Sequence, residues 1–122
     1  MTLFDRLSGL APLGSSLAGR GRGLTARMML RADESETQVT FTDGAVTGLA
    51  HGPFVMPSWD FGLSAPVETW SAFLSPTPPP KMHDLIGLVR HGGMRFEGNL
   101  QPLMAHLLYL KLLFDAARED RP

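Results

Sequence analysis

From residue 24 to residue 32 the chain alternates. Leu24, Ala26, Met28, Leu30 and Ala32 fall on one side, Thr25, Arg27 and Arg31 on the other, with Met29 among them. Period two predicts a strand with one buried face. Polar Asp33-Glu34-Ser35-Glu36 predicts a turn, and residues 38–42 a second strand with Val39 and Phe41 inward. Asp43-Gly44 is a two-residue hairpin signal that returns the chain as a third strand over residues 45–50. A proline-bounded connection, residues 51–57, leads to a fourth strand over residues 58–64. There Trp59, Phe61 and Leu63 share one face, and Asp60 and Gly62 the other. A fifth strand sets Met94, Phe96 and Gly98 against Arg95 and Glu97.

Helical spacing takes over elsewhere. Leu3, Phe4, Leu7 and Leu10 predict a short amphipathic helix ended by Pro12 and Gly14, and the Gly/Ser/Arg-rich stretch 14–23 reads as a loop. Pro66 opens a short helix through Leu74, with Trp70, Phe73 and Leu74 at i, i+3, i+4. The prolines of residues 76–80 force an extended loop. Residues 82–91 carry Met82, Leu85, Ile86 and Val89 at helical spacing. From Pro102 the last helix is apolar on most sides. Leu103, Leu107, Leu110 and Phe114 form one face, Met104, Leu108 and Leu112 a second, with Tyr109 and Leu113 opposite the second. A helix of that kind is covered on more than one side. The order predicts an α+β fold, a five-stranded, mainly antiparallel sheet with helices on one face. Residues 1–23 read as a short helix and loop, 24–116 as the α+β domain, and 117–122 as a charged tail.

Composition narrows the functional classes. With 122 residues there is chain for one core. An apolar fraction of 43%, a charged fraction of 19% and a net charge of -1 give no general affinity for nucleic acid or anionic membranes. The absence of Cys excludes disulfides, thiol catalysis and thiolate metal sites. The first residues lack the pattern of a secretory signal, and the longest apolar stretch is too short to span a bilayer, so a cytoplasmic protein without stable membrane insertion is expected. Charge is uneven. Arg6, Arg20, Arg22, Arg27 and Arg31 precede a stretch whose charges are Asp33, Glu34, Glu36, Asp43 and Asp60. Cross-strand pairing on a solvated sheet face explains this better than a binding patch.

Three places resemble the sterol carrier protein type two family, over residues 24 to 114. They are the Asp43-Gly44 hairpin leading to Trp59-Asp60-Phe61-Gly62-Leu63, the passage Glu68-Thr69-Trp70-Ser71-Ala72-Phe73-Leu74, and Met94-Arg95-Phe96-Glu97-Gly98-Asn99-Leu100 entering an apolar helix. The resemblance implies a small lipid-binding domain in which helices and a five-stranded sheet enclose an apolar tunnel. It also implies non-catalytic carriage of a fatty acyl, isoprenoid or sterol-like lipid, without a cofactor.

A concave apolar site would be lined by Trp59, Phe61, Trp70, Phe73, Leu74, Phe96, Leu103, Leu107, Leu110 and Phe114. Taken singly, each of these is more often core. The seven Met residues would let such a lining adapt. A homodimer formed through the last helix, without ligand, is the alternative partner for the same surface. His51, His83, His91 and His106 show no metal-ligand spacing, so no metal is expected. Asp60 and Tyr109 would make an acid–phenol pair for an isomerase only if they converged in one pocket.

Overall fold

The computed structural model describes residues 4, 7, 9, 10, 15–52, 54, 58–75, 84–90 and 92–118. Strand β1 (Ala26–Ala32) buries Ala26, Met28, Leu30 and Ala32 on one face, as its alternation requires. It pairs antiparallel with β2 (Ser35–Thr42) down to Ala32↔Ser35, leaving a two-residue turn with Asp33 at φ 54°. The second strand therefore begins at Ser35 rather than Gln38: Ser35 and Glu36, taken for part of the turn, pair with Ala32 and Arg31 at the end of the ladder, where both keep contact with solvent. Asp43 and Gly44 form the predicted hairpin turn with φ 49° and 88°, the pair of positive values a type I′ turn needs. β3 (Ala45–His51) returns beside β2, with a bulge between Thr40 and Phe41.

The sheet order is β3-β2-β1-β4-β5. β4 (Phe61–Ala65) crosses to the far side of β1 and pairs with it in parallel, and β5 (Arg95–Gly98) closes that edge antiparallel. The fold is thus α+β with a mixed, mostly antiparallel sheet. The crossover has a mark on the sheet: the Gln38 amide donates to the Ser58 carbonyl at 2.5 Å, so Ser58 lies over β2 on the face away from the helices.

The other face is covered. Helices α2 (Val67–Phe73), α3 (Leu85–Arg90), α4 (Leu100–Ala105) and α5 (Leu107–Arg118) contribute Trp70, Phe73, Leu85, Leu88, Leu103, Leu110 and Phe114 to one cluster with Met28, Leu30, Val39, Phe41, Phe61 and Leu63 of the sheet. Phe4, Leu7 and Ala18 join the same cluster. Two expectations change here. The stretch 14–23 holds a helix, α1 (Ser16–Arg20), whose N-cap Ser15 accepts from the Ala18 N–H at 3.1 Å. The single last helix is two, parted at His106 (φ -122°, ψ 29°). The break turns the buried face of α5 to Tyr109, Leu110, Leu113, Phe114 and Ala117, and moves Leu107 to its margin. Residues 3, 5, 6 and 8 of the first predicted helix, the proline stretch 76–80, residues 82, 83 and 91 of the third predicted helix, and residues 119–122 of the tail lie outside the described residues.

Candidate functional site

The apolar layer between sheet and helices gathers most of the predicted lining residues. Phe61, Trp70, Phe73, Leu103, Leu110 and Phe114 are buried in it, and Leu74, Phe96 and Leu107 pack half-buried at its margin. Their rings touch in sequence: Trp70 lies 6.0 Å from Phe73 and from Phe114, Phe73 5.5 Å from Phe114, and Phe61 stacks on Phe96 at 6.4 Å. Trp70 is oriented by its indole N–H, which donates to the Arg31 carbonyl at 2.7 Å. Helix α2 receives a cap from outside itself. Its own N-cap Pro66 offers no side-chain bond, and the Asp33 carboxylate accepts from the Val67 N–H at 3.2 Å.

Trp59 departs from the expected lining. Strand pairing starts at Phe61, and Asp60 is held in a bend by the Arg27 N–H, which donates to its carboxylate at 2.7 Å. Period two therefore does not reach back to residue 59. The indole lies instead on the open face of the sheet, over Gly62 and Gly98, where a Cβ would meet the ring at 3.6 Å and 2.9 Å. Arg31 stacks 5.5 Å from its centre and bridges Glu36 at 2.9 Å and Glu97 at 2.6 Å. The cross-strand charge pairing expected from the sequence is thus present at Arg31. Met29, fully buried on this face, sits beside Gly62 beneath that cluster.

Asp60 and Tyr109 do not form a catalytic pair. The Asp60 carboxylate is engaged by a backbone amide on the open face, whereas Tyr109 is buried under the helices and donates its hydroxyl to the Gly44 carbonyl. Burial pushes the Tyr109 phenol up from 10.0 to about 12, so near neutrality it keeps the proton it donates to that carbonyl. Asp84 shows the opposite outcome. Burial raises its carboxyl, but the Lys111 ammonium at 3.2 Å and the N–H groups of Ile86 and Gly87 outweigh that and hold it below its usual value. Among the described residues no group of three His, Asp or Glu could hold a metal ion, and no helix is long and apolar enough to cross a membrane. An open cleft of about 280 Å³, lined by Asp33, Ser64, Ala65, Pro66, Gly92, Gly93 and Arg95, touches none of the predicted lining residues.

No protein-family model and no curated protein sequence matches the chain. Solved structures do. A sterol carrier protein 2 crystal structure superposes with a TM-score of 0.77 at 14% identity, covering 98% of this chain and 95% of that one. The UbiJ-SCP2 ubiquinone synthesis protein gives 0.56 at 15% identity, over 98% of this chain and 88% of that one. A stereoselective inverting sec-alkylsulfatase from a Pseudomonas species gives 0.61 at 15% identity, over 87% of this chain but only 15% of the sulfatase, so the same fold also occurs within a larger enzyme. At these identities the likeness concerns architecture, and it is nearly complete: over almost its whole length this chain has the sterol carrier protein 2 fold.

Proposed function

We propose that the chain binds a hydrophobic small molecule, a fatty acyl chain, an isoprenoid or a sterol-like lipid, between the covered face of the sheet and helices α2 to α5, and carries it chemically unchanged. The observation that carries this reading is the near-complete superposition, at a TM-score of 0.77, on a protein named as a sterol carrier. That another protein of this fold is named for ubiquinone synthesis favours an isoprenoid among the candidates. Phe61, Trp70, Phe73, Leu103, Leu110 and Phe114 would line the site, with Leu74, Phe96 and Leu107 at its entrance. Trp59 is left out, because it lies on the other side of the sheet. Burying a few hundred Å² of ligand surface at ~25 cal/mol per Å² supplies several kcal/mol before binding costs. Affinity is then modest and selection among lipids broad.

The test is mass spectrometry of organic extracts from the purified protein, with native mass measured alongside. A stoichiometric lipid is the expected result. A clean dimer that also fails to take up a fluorescent fatty acid would sink the reading in favour of a ligand-free module. The variant Leu107→Glu places a charge at the half-buried entrance. It should abolish fatty acid uptake while cooperative unfolding persists. Loss of cooperative unfolding would instead make Leu107 part of the structural core.

A further inference from the structure

Helix α4 and the first turn of α5 hold apolar side chains out in water. Leu100 is 52% exposed, Met104 50% and Leu108 67%. Leu100, Gln101 and Met104 share one side of α4, and Leu108 heads α5 just beyond the break at His106. From Asn99 to Leu110 the chain contains no Asp or Glu, and the next charge, Lys111, is already paired with Asp84 at 3.2 Å. We infer that this α4–α5 corner docks on the surface of a lipid bilayer, with Leu100, Met104 and Leu108 entering the boundary between headgroups and acyl chains.

Area and charge select this occupant. Three side chains expose a few hundred Å² between them, an ordinary size for a functional patch on a monomer. A standard protein–protein interface takes ~800 Å² from each partner, polar rim included, more than these three side chains supply. A bilayer sets no such minimum, since each apolar side chain partitions into it on its own. Residues 99–110 themselves bring no carboxylate toward the headgroups, and the Lys111 ammonium is paired with Asp84 within the protein. The docking side chains differ from those of the proposed ligand layer, which would use the inward Leu103 and Leu110 and the half-buried Leu107 of the same two helices.

The experiment is flotation of the full chain with vesicles of phosphatidylcholine, with and without phosphatidylglycerol. The unaltered protein should float with both. Combining Leu100→Ser, Met104→Ser and Leu108→Ser should lower the partition coefficient by at least about tenfold. Because all three are exposed, thermal unfolding and fluorescent fatty acid uptake from solution should stay unchanged. Gln101→Glu, at an exposed position in the first turn of α4 where an acid suits the helix, should weaken binding to phosphatidylglycerol vesicles more than to pure phosphatidylcholine. Failure of the unaltered protein to float, or equal flotation of the triple variant, would overturn the inference. So would a dimer that falls apart in the triple variant, since it would show a second copy on this surface. Flotation without any fatty acid uptake would remove the carrier reading and leave the docking in place.

Discussion

Tyr109 joins elements that are far apart in the chain, and none of its roles is readable from its neighbours. Its ring lies against Gly21, where an added Cβ would meet ring carbons at 2.6 Å, and its hydroxyl donates to the Gly44 carbonyl. Substituting Tyr109→Phe keeps the ring and leaves a buried carbonyl without that donor, at a cost of about 1–3 kcal/mol. The alkaline limb of stability tests the same contact. Because burial raises the phenol from 10.0 to about 12, the folded chain keeps a proton that the unfolded chain gives up. The stabilisation is therefore complete below pH 10 and is lost as pH rises through about 12. Urea unfolding across this range should show the loss in the unaltered protein, and Tyr109→Phe should remove that part of the slope. An unchanged slope in the variant would mean the hydroxyl is not buried in a bond. As the sole tyrosine, Tyr109 can also be titrated directly by its phenolate absorbance.

At the scale of elements, the glycines explain why one helix was legible and another was not. Gly19, Gly21 and Gly23 make residues 14–23 look like a flexible connector, yet α1 forms there. The composition serves close approach rather than mobility: Gly21 admits the Tyr109 ring, and Gly44 of the hairpin passes directly under the Ala18 carbonyl of α1. Only the Ser15 cap stood as a local signal for that helix, and Asp43-Gly44 announced the turn without announcing what packs on it. Gly44 and Gly92 separate the two demands a glycine can meet. Both have positive φ, 88° and 82°, but a Cβ at Gly92 meets nothing within 4 Å, whereas one at Gly44 runs into the backbone of Ala18 and Gly21. Gly92→Ala should then cost only the left-handed backbone penalty, ~1–2 kcal/mol. Gly44→Ala should cost severalfold more, because α1 must lift off the hairpin. Equal losses in thermal unfolding would show that α1 does not seat on this turn. The last helix was legible as apolar but not as broken, since its spacing fits one continuous face equally well up to Leu107.

For the whole molecule, alternation and turn chemistry gave the five strands, the α+β class and the helical face, because each depends on neighbours within a few residues. Placing β4 beside β1 in parallel depends instead on where the crossover lands, and no local pattern encodes it. Trp59 shows the consequence. Counting by two from Phe61 assigns it to the covered layer, while the Asp60 bend delivers it to the opposite face. The chain's two tryptophans therefore stand on opposite sides of the sheet, Trp70 fully buried among the aromatic rings and Trp59 half-buried against Arg31. This arrangement allows the proposed ligand to be located. In a Trp59→Phe variant the emission comes from Trp70 alone, and in Trp70→Phe from Trp59 alone. A fatty acid brominated along its acyl chain quenches an indole only on close approach. If the ligand enters the covered layer, it should quench the first variant strongly and leave the second nearly unchanged. The Trp70→Phe protein also loses the bond to the Arg31 carbonyl, worth about 1 kcal/mol, so its unfolding midpoint should be measured first to confirm that it is folded under the conditions used. Quenching of Trp59 with Trp70 untouched would move the ligand to the open face, and the role assigned to α2 through α5 would fall with it.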